Sequence, residues 1–204
     1  MEVKERIRQK AEELFRRLGI RSVTMDEIAS QLGISKKTIY LYYADKDEIV
    51  DAVISDMISH NQESCDHDRS IASNAIHEVF LMMEMIKEMF ENMNPSILYD
   101  LERNHPGSFQ KFLQHKHKYI YQAVKDNLEK GIQEELYRKE LKIEIIAKLR
   151  LETMMMSFNQ EVFPKMKYQL LEVEQQVIEH YLYGIASLKG YKLILKYQQE
   201  RKKV

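Results

Sequence analysis

The chain has 204 residues, 44% hydrophobic and 31% charged, with 31 lysines and arginines against 32 aspartates and glutamates. This content supports a folded core and excludes wholesale disorder, and the best apolar window, Tyr181 to Leu188, falls well short of the roughly 18 residues a membrane span requires. A net charge of −1 excludes a protein that coats nucleic acid through bulk charge, so any such contact must come from a few well-placed cations.

Six glycines and three prolines leave few sites for tight β turns, whereas apolar residues recur at helical spacing; the chain therefore reads as all-α. Ile7, Ala11, Leu14, Phe15 and Leu18 form the stripe of a first helix, closed by Gly19. Thr24-Met25-Asp26-Glu27 has the form of a capping box, so a short second helix begins there, runs through Ile28, Ala29 and Leu32, and breaks at Gly33. Ser35 caps a third helix from Lys36 to about Tyr43, and Asp45 caps a fourth with Ile49, Val50, Val53, Ile54, Met57 and Ile58 on one face. The polar run NQESCDHDRS, from about Asn61 to Ser70, reads as a loop. Beyond it the spacing predicts helices at about 70–93, 95–104, 107–135, 141–163 and 168–189, with short connections as between antiparallel neighbours in a bundle. The tail YQQERKKV reads as frayed.

The second and third helices are joined by about three residues, Gly33-Ile34-Ser35, the spacing of a helix-turn-helix whose second helix enters the major groove. In KKTIYLYY, Ile39 and Tyr43 are four apart and point to the core, while Lys36, Lys37 and Tyr40 lie opposite, with Thr38 and Tyr42 on the flank. Two lysines at a helix start can reach phosphates or guanine O6/N7, and a tyrosine can press its ring on a thymine methyl while its hydroxyl bonds a phosphate. A solvated face with snorkelling tips is the plainer reading of the same residues. The longer run TMDEIASQLGISKKTIYLYYADKDEIV favours the first. Over about Ile7 to Val53 the chain resembles the N-terminal DNA-binding domain of the TetR family of bacterial transcriptional regulators, with cap, turn, recognition helix and following lysine in register. GIASLKGYKL, Gly184 to Leu193, is also similar to a segment of some members.

The resemblance implies a three-helix DNA-binding head, residues 1–46, followed by a larger helical ligand-binding and dimerisation domain, residues 47–204, about nine helices in all. It implies that Thr24, Thr38, Tyr42 and Lys46 bind the phosphate backbone and that Lys36, Lys37 and Tyr40 face base edges, with Tyr43 packed inward. Lys37 stands where many members carry a smaller residue, so the operator sequence cannot be borrowed from a relative. It further implies a homodimer, whose two heads, about 34–36 Å apart, read a palindromic operator. The last two long helices would pair across the twofold through Ile146, Leu149, Thr153 and Met156 on one and Val177, Tyr181, Ile185 and Leu188 on the other. Each of these residues serves equally well as intrachain core.

By the same resemblance the second domain holds a small-molecule effector whose binding re-spaces the heads by moving the fourth helix, which requires different affinities for the two conformers. Deformable methionines and aromatics, Met82, Met85, Met89, Phe109, Phe112, Tyr119 and Met155, suit an apolar or amphipathic effector, and also suit an ordinary core. Metal chemistry has thin support: Glu102-Arg103-Asn104-His105 supplies a single Glu-x-x-His unit, His115 and His117 face opposite ways on a helix, and Cys65-Asp66-His67-Asp68 reads as polar loop. No nucleophile elbow, P-loop, dinucleotide fingerprint or H-E-x-x-H occurs, so neither enzyme chemistry nor a cofactor is expected. The charged N-terminus MEVKERIRQK lacks the apolar core of a secretory signal, and Cys65 has no internal disulfide partner. The expectation is a cytoplasmic, one-component repressor acting on double-stranded DNA, without membrane contact. The alternative is a helical-bundle enzyme or carrier whose head no longer binds DNA.

Overall fold

The computed structural model describes residues 2–201, which are helical but for turns and an isolated antiparallel bridge between Tyr137 and Ala186. Helix α1 (Val3–Leu18) buries Ile7, Ala11, Leu14 and Phe15 and ends at Gly19, whose φ of 86° lies in the region that glycine tolerates. Helix α2 (Met25–Leu32) starts where expected: the Thr24 hydroxyl accepts a hydrogen bond from the Glu27 amide at 3.1 Å. Gly33, at φ 65°, turns the chain into α3 (Lys36–Tyr40), capped by Ser35 Oγ accepting from the Thr38 amide at 3.1 Å. Helix α4 (Lys46–Ile71) starts at Asp45, whose Oδ1 accepts from the Glu48 amide at 2.9 Å.

The loop expected at about Asn61 to Ser70 is not formed, because α4 runs through it to Ile71. Polarity alone does not break a helix. Residues 46–71 contain no glycine or proline, and tertiary partners hold the polar stretch: the Tyr119 hydroxyl donates to Asp66 at 2.7 Å and lies 3.0 Å from the Gln62 carbonyl, and Arg69 pairs with Asp126 at 3.7 Å. Cys65 is thus a half-buried helical residue, with burial pushing its thiol up to about 11.

Helices α5 (Ala75–Phe90) and α6 (Ile97–Asn104) follow, α5 capped by Asn74 Oδ1 on the His77 amide at 2.9 Å. The segment expected as a helix at 107–135 is helical throughout 106–133, as α7 (Pro106–His115), a π-helical turn (Lys116–Ile120) and α8 (Tyr121–Gln133). Helix α9 (Ile143–Met156) is shorter than the expected 141–163, since residues 157–169 form turns, and α10 (Leu170–Ile185) precedes α11 (Leu188–Arg201). Residues 197–201 of the tail expected to fray are therefore helical, whereas 202–204 lie outside the described residues.

Packing separates two compact units: the residues up to Asn61 with Asn92–His115, and Gln62–Glu91 with Lys116 onward. In the first, Ile7, Phe15, Ile20, Ile28, Ile39 and Ile49 are buried as one apolar set. In the second, the buried Tyr137 hydroxyl lies 3.2 Å from the Ala75 carbonyl and 3.0 Å from Asn127 Oδ1, a fully partnered polar node. Gly131 makes room for that ring, as a Cβ there would lie 2.0 Å from Tyr137 Cδ2. The 184–193 segment closes against the same region, with the Arg138 amide donating to the Ile185 carbonyl and the Ser187 amide to the Leu136 carbonyl, both at 2.9 Å.

Candidate nucleic-acid interface

Helix α3 is only five residues long, so its orientation depends on its anchors. Ile39 is fully buried and Tyr43 nearly so, with the Tyr43 hydroxyl donating to the Lys4 carbonyl at 3.3 Å. Tyr43 therefore packs inward as expected, and burial raises its phenol. At about 100° per residue, Lys37 and Leu41 lie about 160° from Ile39 and point farthest from the core; Tyr40 lies about 100° round, Lys36 and Tyr42 about 60°. Exposure follows this order, at 75% for Leu41, 47% for Tyr40 and 38% for Tyr42, and Lys37 is exposed.

The expected DNA-facing residues are thus presented unequally. Lys37 has no hydrogen bond or ion pair among the described residues. Lys36 Nζ instead donates to Asp26 Oδ2 at 2.8 Å, and that bond raises its pKa. The Thr38 and Ser35 hydroxyls lie 2.8 Å apart, tying Thr38 to the cap. Thr24, likewise, is exposed while its oxygen caps α2. Lys46 is half-buried: its ammonium donates to the Ile20 carbonyl at 2.6 Å and lies 5.9 Å from the Phe15 ring centroid. Burial lowers its pKa, against the pull of Asp100 and Asp47. Lysines 36 and 46 are therefore already placed by intramolecular acceptors, which fixes where their charges sit before any partner arrives. Leu41, the most exposed large apolar side chain of the recognition segment, was not among the residues expected from the sequence. A helical wheel of KKTIYLYY places it beside Lys37, and that was the signal available.

This cation-bearing, hydroxyl-lined edge on a doubly capped helix-turn-helix is what a reader of the major groove needs. Residues 7–53 match the family model described as bacterial regulatory proteins, tetR family. The head is thus similar to the DNA-binding domain of the TetR family. The chain is 33% identical over 85 residues to the HTH-type transcriptional regulator YvaF of Bacillus subtilis (strain 168), a match covering 41% of this chain and 45% of that relative. In fold it is similar to a transcriptional regulator from Saccharomonospora viridis in complex with choline (TM-score 0.73, 15% identity, 90% of this chain and 97% of that one). It is also similar to the transcriptional regulator FadR from Bacillus subtilis in complex with stearoyl-CoA (TM-score 0.63, 18% identity, 89% and 98%). This likeness of fold extends over about nine-tenths of the chain.

Among the residues considered for an effector, Met82, Met85 and Met89 are half-buried on α5, and Met155 is half-buried on α9. Tyr119 spends its hydroxyl on Gln62 and Asp66. Phe109 and Phe112 belong to the first compact unit, where their rings stack with centroids 6.3 Å apart. Among those considered for dimerisation, Leu149 and Leu188 are 55% and 86% exposed and Met156 is exposed as well. Ile146, Thr153, Val177 and Tyr181 are half-buried. Ile185 is corrected to core, because a side chain 2% exposed in its own subunit has no surface left to offer a partner. Ile145, four residues from Leu149 on α9, is exposed as well.

Two of the histidines considered for a metal have other partners. His105 Nδ1 lies 2.5 Å from Asp47 Oδ1, and His115 Nε2 donates to Asn61 Oδ1 at 2.9 Å. No cluster of three or more metal-ligating side chains occurs among the described residues. No helix among them is long and apolar enough to cross a membrane.

Proposed function

We propose that this chain is a one-component repressor that binds a palindromic operator as a homodimer and is released by a small-molecule effector. Residues 1–46 form the DNA-reading head, and residues 47–204 carry the effector and the dimer contact. The observation that carries the reading is the outward edge of α3, where Lys37 and Tyr40 are exposed on a segment that Ile39 and Tyr43 anchor from behind. In this division of labour Thr24, Thr38, Tyr42 and Lys46 hold phosphates, whereas Lys36, Lys37 and Tyr40 meet base edges. Binding costs Lys36 its bond to Asp26, an exposed pair of the kind that a phosphate readily replaces.

A dimer is needed because one short helix contacts too few bases to select a site among many competitors. The apolar stripe Ile145, Leu149 and Met156, exposed on α9, supports a second copy as its cover. The effector is read as apolar or amphipathic, against the methionines of α5 and α9. Stearoyl-CoA in the FadR of like fold makes an acylated molecule the first class to try. The chain is read as working in the cytoplasm and without catalysis.

The test is selection from pooled random duplexes at rising salt. A twofold-symmetric motif should be enriched, with affinity falling steeply with salt as several phosphates are neutralised. No enrichment would refute the reading and favour a helical carrier or enzyme. Release of the enriched duplex by compounds that raise the melting temperature would then identify the effector.

A further inference from the structure

Leu41 is an apolar side chain held in water on the most exposed line of the recognition helix. Its backbone stays helical (φ −73°, ψ −19°) and its amide donates to the Thr38 carbonyl at 3.3 Å, so helical spacing applies to it as to its neighbours. It is four residues from Lys37 and therefore shares that lysine's face, about 6 Å farther along the helix. It packs against nothing that would explain its type, being 75% exposed between two tyrosines that are themselves partly exposed. A solvated leucine beside an unpaired lysine matches one surface in particular. The floor of the major groove offers guanine O6 and N7 to a cation and the thymine C5-methyl group to an apolar side chain.

We propose that Leu41 is a specificity residue: each head seats its side chain against the methyl group of a thymine about one or two base pairs from a guanine read by Lys37. The separation follows from the 6 Å between the two residues against the 3.4 Å step of the duplex. The inference rests on the DNA-binding reading above and adds a composition to the operator, a guanine and a thymine close together in each half-site. Lys36, tethered to Asp26, is then the less discriminating of the two lysines.

The experiment replaces thymines of the enriched duplex by deoxyuridine, one half-site position at a time, which deletes only the methyl group. Affinities are measured for the full-length protein and for Leu41→Ala and Leu41→Met. With the unaltered protein, one position per half-site should lose about fourfold, the worth of one buried methyl group. Leu41→Ala should abolish that difference at that position alone, and Leu41→Met, which keeps an apolar contact, should retain it. Thermal melting of each variant shows that the head is still folded. A motif without thymine near guanine, or deoxyuridine effects identical in the unaltered protein and Leu41→Ala, overturns the assignment of Leu41 while leaving DNA binding intact. Failure to enrich any motif overturns both.

Discussion

Replacing Arg150 by methionine should cost this protein about 3–5 kcal/mol, and the reason is visible around Glu174. Arg150 is 4% exposed and Glu174 is 0% exposed; Arg150 Nη2 donates to Glu174 Oε1 at 2.8 Å, and Ser157 Oγ donates to Oε2 at 2.6 Å. Methionine fills much of the same volume but strands a carboxylate that keeps one hydroxyl for company, and breaking a buried pair from one side costs that much. Glu174→Leu should be comparably damaging, since it leaves the guanidinium only the face of Tyr181, 5.7 Å away, with Nη1 already lacking a hydrogen-bond partner among the described residues. Removing both charges together should recover most of the loss, because two well-packed apolar groups need no solvation. With a urea dependence of about 2 kcal/mol per molar, each single variant should lower the denaturation midpoint by about 2 M, and the double variant by much less. Protomer concentration must be held constant, because the proposed dimerisation would contribute to apparent stability. Single-variant shifts below about 0.5 M, or a double variant equal to the sum of the singles, would mean that the pair is solvated or uncoupled, and the argument would fail.

Gly131→Ala should destabilise by about 1–3 kcal/mol in the same denaturation assay, because its Cβ would lie 2.0 Å from the buried Tyr137 ring, which its own hydrogen bonds hold in place. Acidification should weaken the fold through His115, whose imidazole burial lowers below the ordinary 6.5. The unfolded chain binds that proton more readily, so this stability is full above about pH 6.5 and lost as pH falls through the folded value, and His115→Gln should flatten the urea midpoint over pH 5–7 relative to the unaltered protein. Lys46→Ala should weaken binding to all duplexes alike and reduce the log–log salt slope by about 0.9 per head, whereas Lys37→Ala should also relax base preference. Equal, sequence-blind effects of both substitutions in the pooled-duplex selection would refute that division.

The head was legible because its signals are local. Thr24, Gly33, Ser35 and Asp45 each satisfy or redirect backbone groups within a few residues, and each acts at the expected place in the structure. The stretch Asn61–Ser70 was misread because its helix is held by Tyr119 and Asp126, more than fifty residues away in sequence. Leu41 is within reach of the same local geometry, since helical spacing alone sets it four residues from Lys37 on the same face.

Chain order and side-chain chemistry alone determined an all-helical protein, the three helices of the head with their caps, and the family resemblance those residues carry, since capping and helical periodicity are settled between neighbours. Tertiary packing decided the rest. It extended α4 to Ile71, bound Lys36 to Asp26, sent Ile185 to the core and left Ile145 and Leu149 outside. An amphipathic helix fixes which of its faces is apolar, but only the elements packed around it determine which apolar residues are covered and which remain for a partner.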